Sequence, residues 1–120
     1  MRNYKEEYER WLDSPALSEQ EWAELNAIHD DEKEIENRFF APLEFGTAGL
    51  RGTMKLGLHN MNVHIIRHAT QAFANVIAAE GKKARDKGIV IAHDCRLNGM
   101  TFAKEAACVM AANGIHVRFF

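Results

Sequence analysis

The sequence is poor in the features that mark several protein classes. It has only two cysteines, Cys95 and Cys108, too few and too unevenly placed for a disulfide framework or a zinc site. A reduced, cytoplasmic chain is the expectation. There is no excess of positive charge: 15 Lys and Arg stand against 17 Asp and Glu, for a net charge of -2, without the basic face of a dedicated nucleic-acid or membrane-surface binder. No apolar run approaches the roughly 20 residues needed to cross a bilayer. The opening MRNYKEEYERW is charged throughout and lacks a secretory-signal pattern. These absences leave a small molecule as the expected partner, with neither nucleic acid nor membrane.

What remains is a chain of 120 residues, 47% hydrophobic and 27% charged, suited to one globular domain. Its first forty residues read as helices. Tyr4, Tyr8, Trp11 and Leu12 share one face, and Pro15 ends that helix or the loop after it. Ser18 with Glu21 makes a capping box, and Trp22, Leu25 and Ile28 supply the apolar stripe of a second short helix. The run DDEKEIENR from Asp30 reads as a solvated helix start or linker. Together these segments read as an N-terminal appendage that clasps a later core.

A glycine-rich stretch follows. EFGTAGLRGTMKLG, from Glu44 to Gly57, holds four of the eight glycines with an arginine, a lysine and two threonines. It lacks the Gly-Lys-Ser/Thr ending of a Walker loop, and its G-x-x-G-x-x-G spacing is not the dinucleotide fingerprint. Glycines free backbone N–H groups to face an anion, and an arginine offers a planar fork matched to phosphate. A tight turn between packed elements would want the same glycines, so both readings stand. The sequence LRGTM, from Leu50 to Met54, also suggests a strand leading out of the loop.

The second half alternates helices and strands. Asn62 is placed to cap a helix whose apolar face is Ile66, Ala69, Phe73, Val76 and Ile77, ending at Gly81 or Gly88. IVIAH from Ile89 reads as a buried strand, DCRLNG as a turn, and Phe102, Ala106, Val109 and Met110 as the inward face of a helix stopped by Asn113-Gly114. IHVRFF from Ile115 has strand alternation. Strand, helix and strand make a βαβ unit with parallel strands, so the fold class expected is α/β. Because the chain stops at Phe120 inside a strand that a parallel sheet would cover on both faces, a domain cut short is expected.

Six ordered blocks carry a resemblance to a known family: FGTAGLRG, Met61-Asn62, ATQAFAN from Ala69, IAHDCR from Ile91, FAKEAA from Phe102 and AANGIHV from Ala111. They resemble the N-terminal domain of the α-D-phosphohexomutases, most closely the bacterial phosphoglucomutase/phosphomannomutase branch related to phosphopentomutase. The lead-in YERWLDSPALSEQEWAEL is similar to that branch as well. The resemblance implies a three-layer αβα domain I, incomplete, spanning 41–120 behind a helical extension over 1–40. It implies a cytoplasmic enzyme that moves phosphate between the 1- and 6-positions of a hexose through a phosphoserine, with a hexose 1,6-bisphosphate primer and magnesium. Arg51 would lie beside the phosphoserine as a catalytic residue, with Thr47, Ala48, Gly49, Leu50 and Gly52 forming the phosphate loop. Asp94 and Arg96 would support the site from the carboxyl end of a strand. Arg96 either holds the catalytic loop or pairs with Asp94.

The family's Thr-Ala-Ser-His-Asn-Pro nucleophile loop and Asp-Gly-Asp-x-Asp magnesium loop are not among these 120 residues. The resemblance therefore places the nucleophile, the metal ligands and most sugar contacts in missing C-terminal domains, and the chain is expected to be inactive alone. Some positions depart from the family pattern: Lys55 and Leu56 stand where small residues are usual, His59-Asn60 where Asn-Arg is usual, and His93 and Cys95 where Tyr and Ser are common. His93 reads as a packed residue rather than a general base, and no paired histidine is indicated to activate Cys95. The rival readings are a non-catalytic phosphosugar-binding or interaction module and an RNA-binding G-x-x-G clamp. The clamp requires two flanking helices and basic surroundings, whereas FFAPLEF precedes this loop.

Overall fold

Asn3, Ser18 and Asp31 open the first three helices by the same device, a side-chain oxygen that accepts an otherwise unpaired N–H of the first turn. In α1 (Tyr4–Leu12) Asn3 accepts from Glu6 N at 2.8 Å. In α2 (Glu19–Asn26) the capping box is complete: Ser18 Oγ accepts Glu21 N at 3.2 Å and Glu21 Oε1 accepts Ser18 N at 3.0 Å. In α3 (Glu32–Phe39) Asp31 accepts from Glu34 N at 3.2 Å. Acidic residues in each first turn also favour the positive end of the helix dipole.

The computed structural model describes residues 3–46, 49–50, 52–93 and 99–119. It divides into two compact units, Met1–Asn62 and Val63–Phe120. Among the described residues no helix is long and apolar enough to cross a membrane.

In the first unit α1 packs on α2 and α3 around Tyr8, Leu25, Ile35, Phe39 and Leu56. Tyr8 and Trp11 each set an edge against Phe39, with ring centroids 5.6 and 5.5 Å apart, the geometry that the ring quadrupole favours. The buried Tyr8 hydroxyl donates to Leu25 O at 2.6 Å. The expected face of α1 is therefore the packed one. The stripe expected of α2 is only partly so, because Leu25 is fully buried while Trp22 is 45% exposed. The run from Asp30 is more than a solvated helix start: α3 buries Ile35, Arg38 and Phe39.

The second unit runs α4 (Val63–Ala79), α5 (Lys82–Lys87), β3 (Ile89–Ile91), α6 (Gly99–Ala112) and β4 (Val117–Phe119). β3 and β4 pair in parallel, with Ile89 opposite Val117 and Ile91 opposite Phe119. This is the βαβ unit expected from the spacing. Gly81 ends α4 and Gly88 ends α5, so both candidate stops are used. At Gly88 φ is +73° and a Cβ would collide with His116 O, so only glycine lets the strands meet there.

Ala74, Met110 and Ile115 form this unit's core, with Ile77, Ile89 and Val117 packed on it. α4 buries only part of the face expected of it, Ile77 packing on the core. Phe73 is 54% and Val76 61% exposed, while the small Ala74 between them is fully buried. Arg67 spans the two helices in a forked pair with Glu105, at 2.8 and 3.1 Å. By strand alternation Val90 points away from the core, and it is 62% exposed. The described architecture is an incomplete α/β domain.

Candidate active site around the glycine-rich loop

The glycine-rich segment begins as a two-residue hairpin. β1 (Phe45–Gly46) pairs antiparallel with β2 (Gly49–Leu50), placing Phe45 opposite Leu50 and Gly46 opposite Gly49. The expected strand over Leu50 to Met54 is not continuous: β2 ends at Leu50, and Met54 makes only an isolated bridge to Met61. The chain bends there because Thr53 O accepts two N–H groups, from Met61 at 2.8 Å and Lys55 at 3.0 Å, which closes a turn in place of a ladder.

Both stems of the hairpin rest on that turn. Leu43 N, on the incoming side, donates to Leu58 O at 3.1 Å. On the outgoing side Gly52 passes so close to Leu43 and Met61 that a Cβ would sit 3.0 Å from a Leu43 methyl. Asn62 closes the turn from within, its side-chain amide donating to Lys55 O and Gly57 O at 3.0 Å each. Asn60 Nδ2 donates to Leu56 O at 3.1 Å.

The turn is held in its place by α3 and α2. Arg38, only 8% exposed, donates from Nε to Glu34 Oε1 at 2.9 Å and from Nη1 to Glu24 Oε2 at 2.9 Å and Leu56 O at 3.3 Å. The same Glu24 oxygen accepts Leu56 N at 3.2 Å. Arg38 O accepts His59 N at 2.9 Å. Gly57 lies flush against this residue with φ +127°, and a Cβ there would stand 2.8 Å from Arg38 O. The Arg38 hydrogen bond, together with its charge, holds the Glu34 carboxyl below the usual carboxylate range.

Of the sequence-predicted site residues, Leu50 and Gly49 lie in β2 and Gly52 in the stem just described. Thr47, Ala48, Arg51, Asp94, Cys95 and Arg96 lie outside the described residues. His93 follows β3 with its ring tilted against Phe119, centroids 5.9 Å apart. The departures from the family pattern acquire partners here. Leu56 fills the core of the helical segment, Lys55 pairs with Glu34 at 3.5 Å, and the His59 ring lies tilted against Phe40. Sequence reading missed Arg38 and Glu24. The available signal was the Glu34–Arg38 spacing of four along a helix, beside a leucine at 56 that needs an apolar partner.

Comparison with known proteins now decides the family. The family model described as phosphoglucomutase/phosphomannomutase, alpha/beta/alpha domain I, matches residues 42–120. The chain belongs to this family. Among curated relatives of this phosphohexomutase-family chain, a phosphomannomutase of Mycoplasma genitalium is 35% identical over 113 residues, covering 90% of this chain and 20% of the relative. A phosphopentomutase of Pongo abelii is 36% identical over 96 residues, covering 75% of this chain and 16% of the relative. A phosphoglucomutase of Staphylococcus saprophyticus is 34% identical over 84 residues, covering 70% and 15%. The chain thus spans about a fifth or less of the curated relatives it matches. The Mycoplasma alignment covers more of the chain than residues 42–120 can supply, so the likeness reaches into the helical segment. No solved structure matches the chain.

Proposed function

We propose that this chain is the N-terminal part of a cytoplasmic phosphohexomutase of carbohydrate metabolism, interconverting hexose 1-phosphate and 6-phosphate. The observation that carries the reading is the domain I match over 42–120, a span that contains FGTAGLRG. Relatives named phosphomannomutase and phosphoglucomutase support it. In this reading residues 1–40 are an extension and 41–120 begin the first domain.

The reaction is an exchange of phosphoryl groups. The P–O bond to a serine Oγ breaks as one forms to the free hydroxyl of the sugar phosphate, whose proton passes to a base. The bisphosphate then turns over and returns its other phosphoryl group to the serine, and hexose 1,6-bisphosphate primes the cycle. Arg51 holds two oxygens of the transferring group through its fork, and the loop amides from Thr47 to Gly52 face the same charge. Asp94 and Arg96 support the loop. In this reading magnesium, which would supply charge neutralisation when bound, is held by the downstream domains, as is the serine. The short chain is then inactive alone.

A pentose phosphate is the second reading, favoured by relatives named phosphopentomutase that are 36% and 35% identical. A coupled assay of the complete enzyme with glucose, mannose and ribose 1-phosphates separates the two. Turnover is expected in the complete enzyme and not in the 120-residue chain. Arg51→Lys should lower the rate roughly a hundred- to a thousand-fold with little change in KM, because an ammonium cannot reproduce the fork. No turnover on any of these sugars, or a variant as fast as the parent, would overturn the proposal.

A further inference from the structure

We propose that Arg38 is a positioning residue for the glycine-rich loop, and that the N-terminal helices, through it, are part of the phosphotransfer site rather than a dispensable appendage. The inference rests on the phosphotransfer reading above and deepens it.

Three observations converge. First, Arg38 and Glu24 together engage both backbone polar groups of Leu56: Arg38 Nη1 donates to its carbonyl and Glu24 Oε2 accepts its N–H. The register of the chain at that point is therefore set from α2 and α3. Second, the Leu56 side chain is buried among Tyr8, Leu25, Ile35 and Phe39, so the same residue is held by packing as well. Third, both stems of the hairpin hang from the segment so anchored, through Leu43 N on Leu58 O and Met61 N on Thr53 O. Displacing Leu56 therefore moves both ends of the loop together.

Arg38 is not itself a phosphate ligand. Its guanidinium is buried and engaged by two carboxylates, Glu34 and Glu24, which would repel an approaching anion. Its contribution is geometric, and geometry matters here because an arginine fork acts on a transferring phosphoryl group only within a narrow range of distances. A misplacement of about 1 Å remote from the chemistry can lower a rate on the order of a hundred-fold. The β1–β2 pairing is only two residues long, so where the hairpin sits depends on what its stems are tied to.

The test compares Arg38→Met, Arg38→Lys and Glu24→Ala with Tyr8→Phe, in the complete enzyme and in the 120-residue chain. Tyr8→Phe removes a buried hydrogen bond of the same helical core but leaves Leu56 gripped. In the complete enzyme the Arg38 and Glu24 variants should lose roughly ten- to a hundred-fold in kcat with KM for the sugar phosphate within about twofold. Tyr8→Phe should lower the melting temperature and leave kcat unchanged. In the short chain, hydrogen exchange should quicken at Thr53 to Met61 in the Arg38 and Glu24 variants while the amides of α1 stay protected. Unchanged kcat in folded Arg38→Lys and Glu24→Ala, or an equal loss in Tyr8→Phe, would overturn the proposal. If the complete enzyme shows no mutase turnover, the functional reading fails, and uniform exchange across unit one in the variants would reject the clamp independently.

Discussion

Both units have an apolar core, and they differ in where their polar contacts lie, buried in the first and exposed in the second. In Met1–Asn62 the decisive contacts are polar and long in sequence: Glu24 reaches Leu56, Arg38 reaches Leu56 and His59, and buried Asn60 and Asn62 satisfy the turn's carbonyls. In Val63–Phe120 the organising contacts are apolar and regular, two helices and two strands meeting at Ala74, Met110 and Ile115. Buried polar groups are costly unless every partner is met, and here no described buried side-chain N or O lacks one. A unit that accepts that constraint specifies one loop geometry. A unit whose core is apolar and whose polar pairs are exposed specifies a layer, and leaves Val90 and Phe119 exposed.

The sharpest break of this comparison is Phe39→Ala. Phe39 is 1% exposed and takes the edges of Tyr8 and Trp11, so the cavity should cost about 3–5 kcal/mol. Both tryptophans, Trp11 and Trp22, belong to the first unit, so fluorescence melting reads the loss there directly. An effect below about 1 kcal/mol would mean that the polar contacts alone hold the helices.

Next in size is Gly88→Ala in the second unit. Both Gly88 and Gly114 have φ +73°, but only at Gly88 would a Cβ strike backbone, at His116. The expected cost is roughly 2–4 kcal/mol at Gly88 and about 1 kcal/mol at Gly114. Chemical denaturation followed by exchange at the Ile89 and Val117 amides checks it. Equal costs would show that the parallel pairing does not depend on that close approach.

Acid should act more gently, through ion pairs in both units, the pKa of the exposed Glu32 beside Lys5 being lowered as well. The hydrogen bonds from Arg38 and Arg67 lower the folded pKa values of Glu34 and Glu105 below the ordinary 4.5. A depressed folded pKa contributes stability that is complete above the unfolded value and is lost as pH falls from there through the folded one. Stability should therefore decline below about pH 4.5, with Glu34→Gln flattening the slope seen by tryptophan fluorescence and Glu105→Gln leaving that slope unchanged.

The smallest effect on stability is expected from Val90→Lys, within about 0.5 kcal/mol because the side chain is already exposed. Its effect on association should be larger. The parent chain should self-associate at moderate concentration through the open apolar face and strand edges, and the lysine should restore a monomer in sedimentation. A parent that is already a clean monomer would show that the face does not drive contact.

Periodicity and capping were legible because they depend on neighbours a few residues apart. Ser18 with Glu21, the stops at Gly81 and Gly88, and the parallel pair at Ile89 and Val117 all follow from local preference. The family blocks were legible too, because each is a short contiguous pattern, and the match over 42–120 agrees with them. Reading which face of α4 is buried failed at Phe73 and Val76, since an amphipathic stripe names the apolar residues and not the neighbour that will cover them.

Arg38 lay inside a run of charges that looked like solvent-facing surface, and Leu56 looked like a departure from the family's small residue. Neither has a local explanation. Their meaning arises from contacts 18 residues apart in sequence, with Glu24 32 residues from the N–H it accepts, and side-chain pairing over such separations leaves no periodic trace in the chain. The sequence alone therefore carries the helices, the strands and the family's glycine-rich pattern, whose causes are short-range. How the helical segment holds the stems of the loop was settled by burial, which brought one guanidinium, two carboxylates and the backbone N–H and C=O of Leu56 together where each must find a partner.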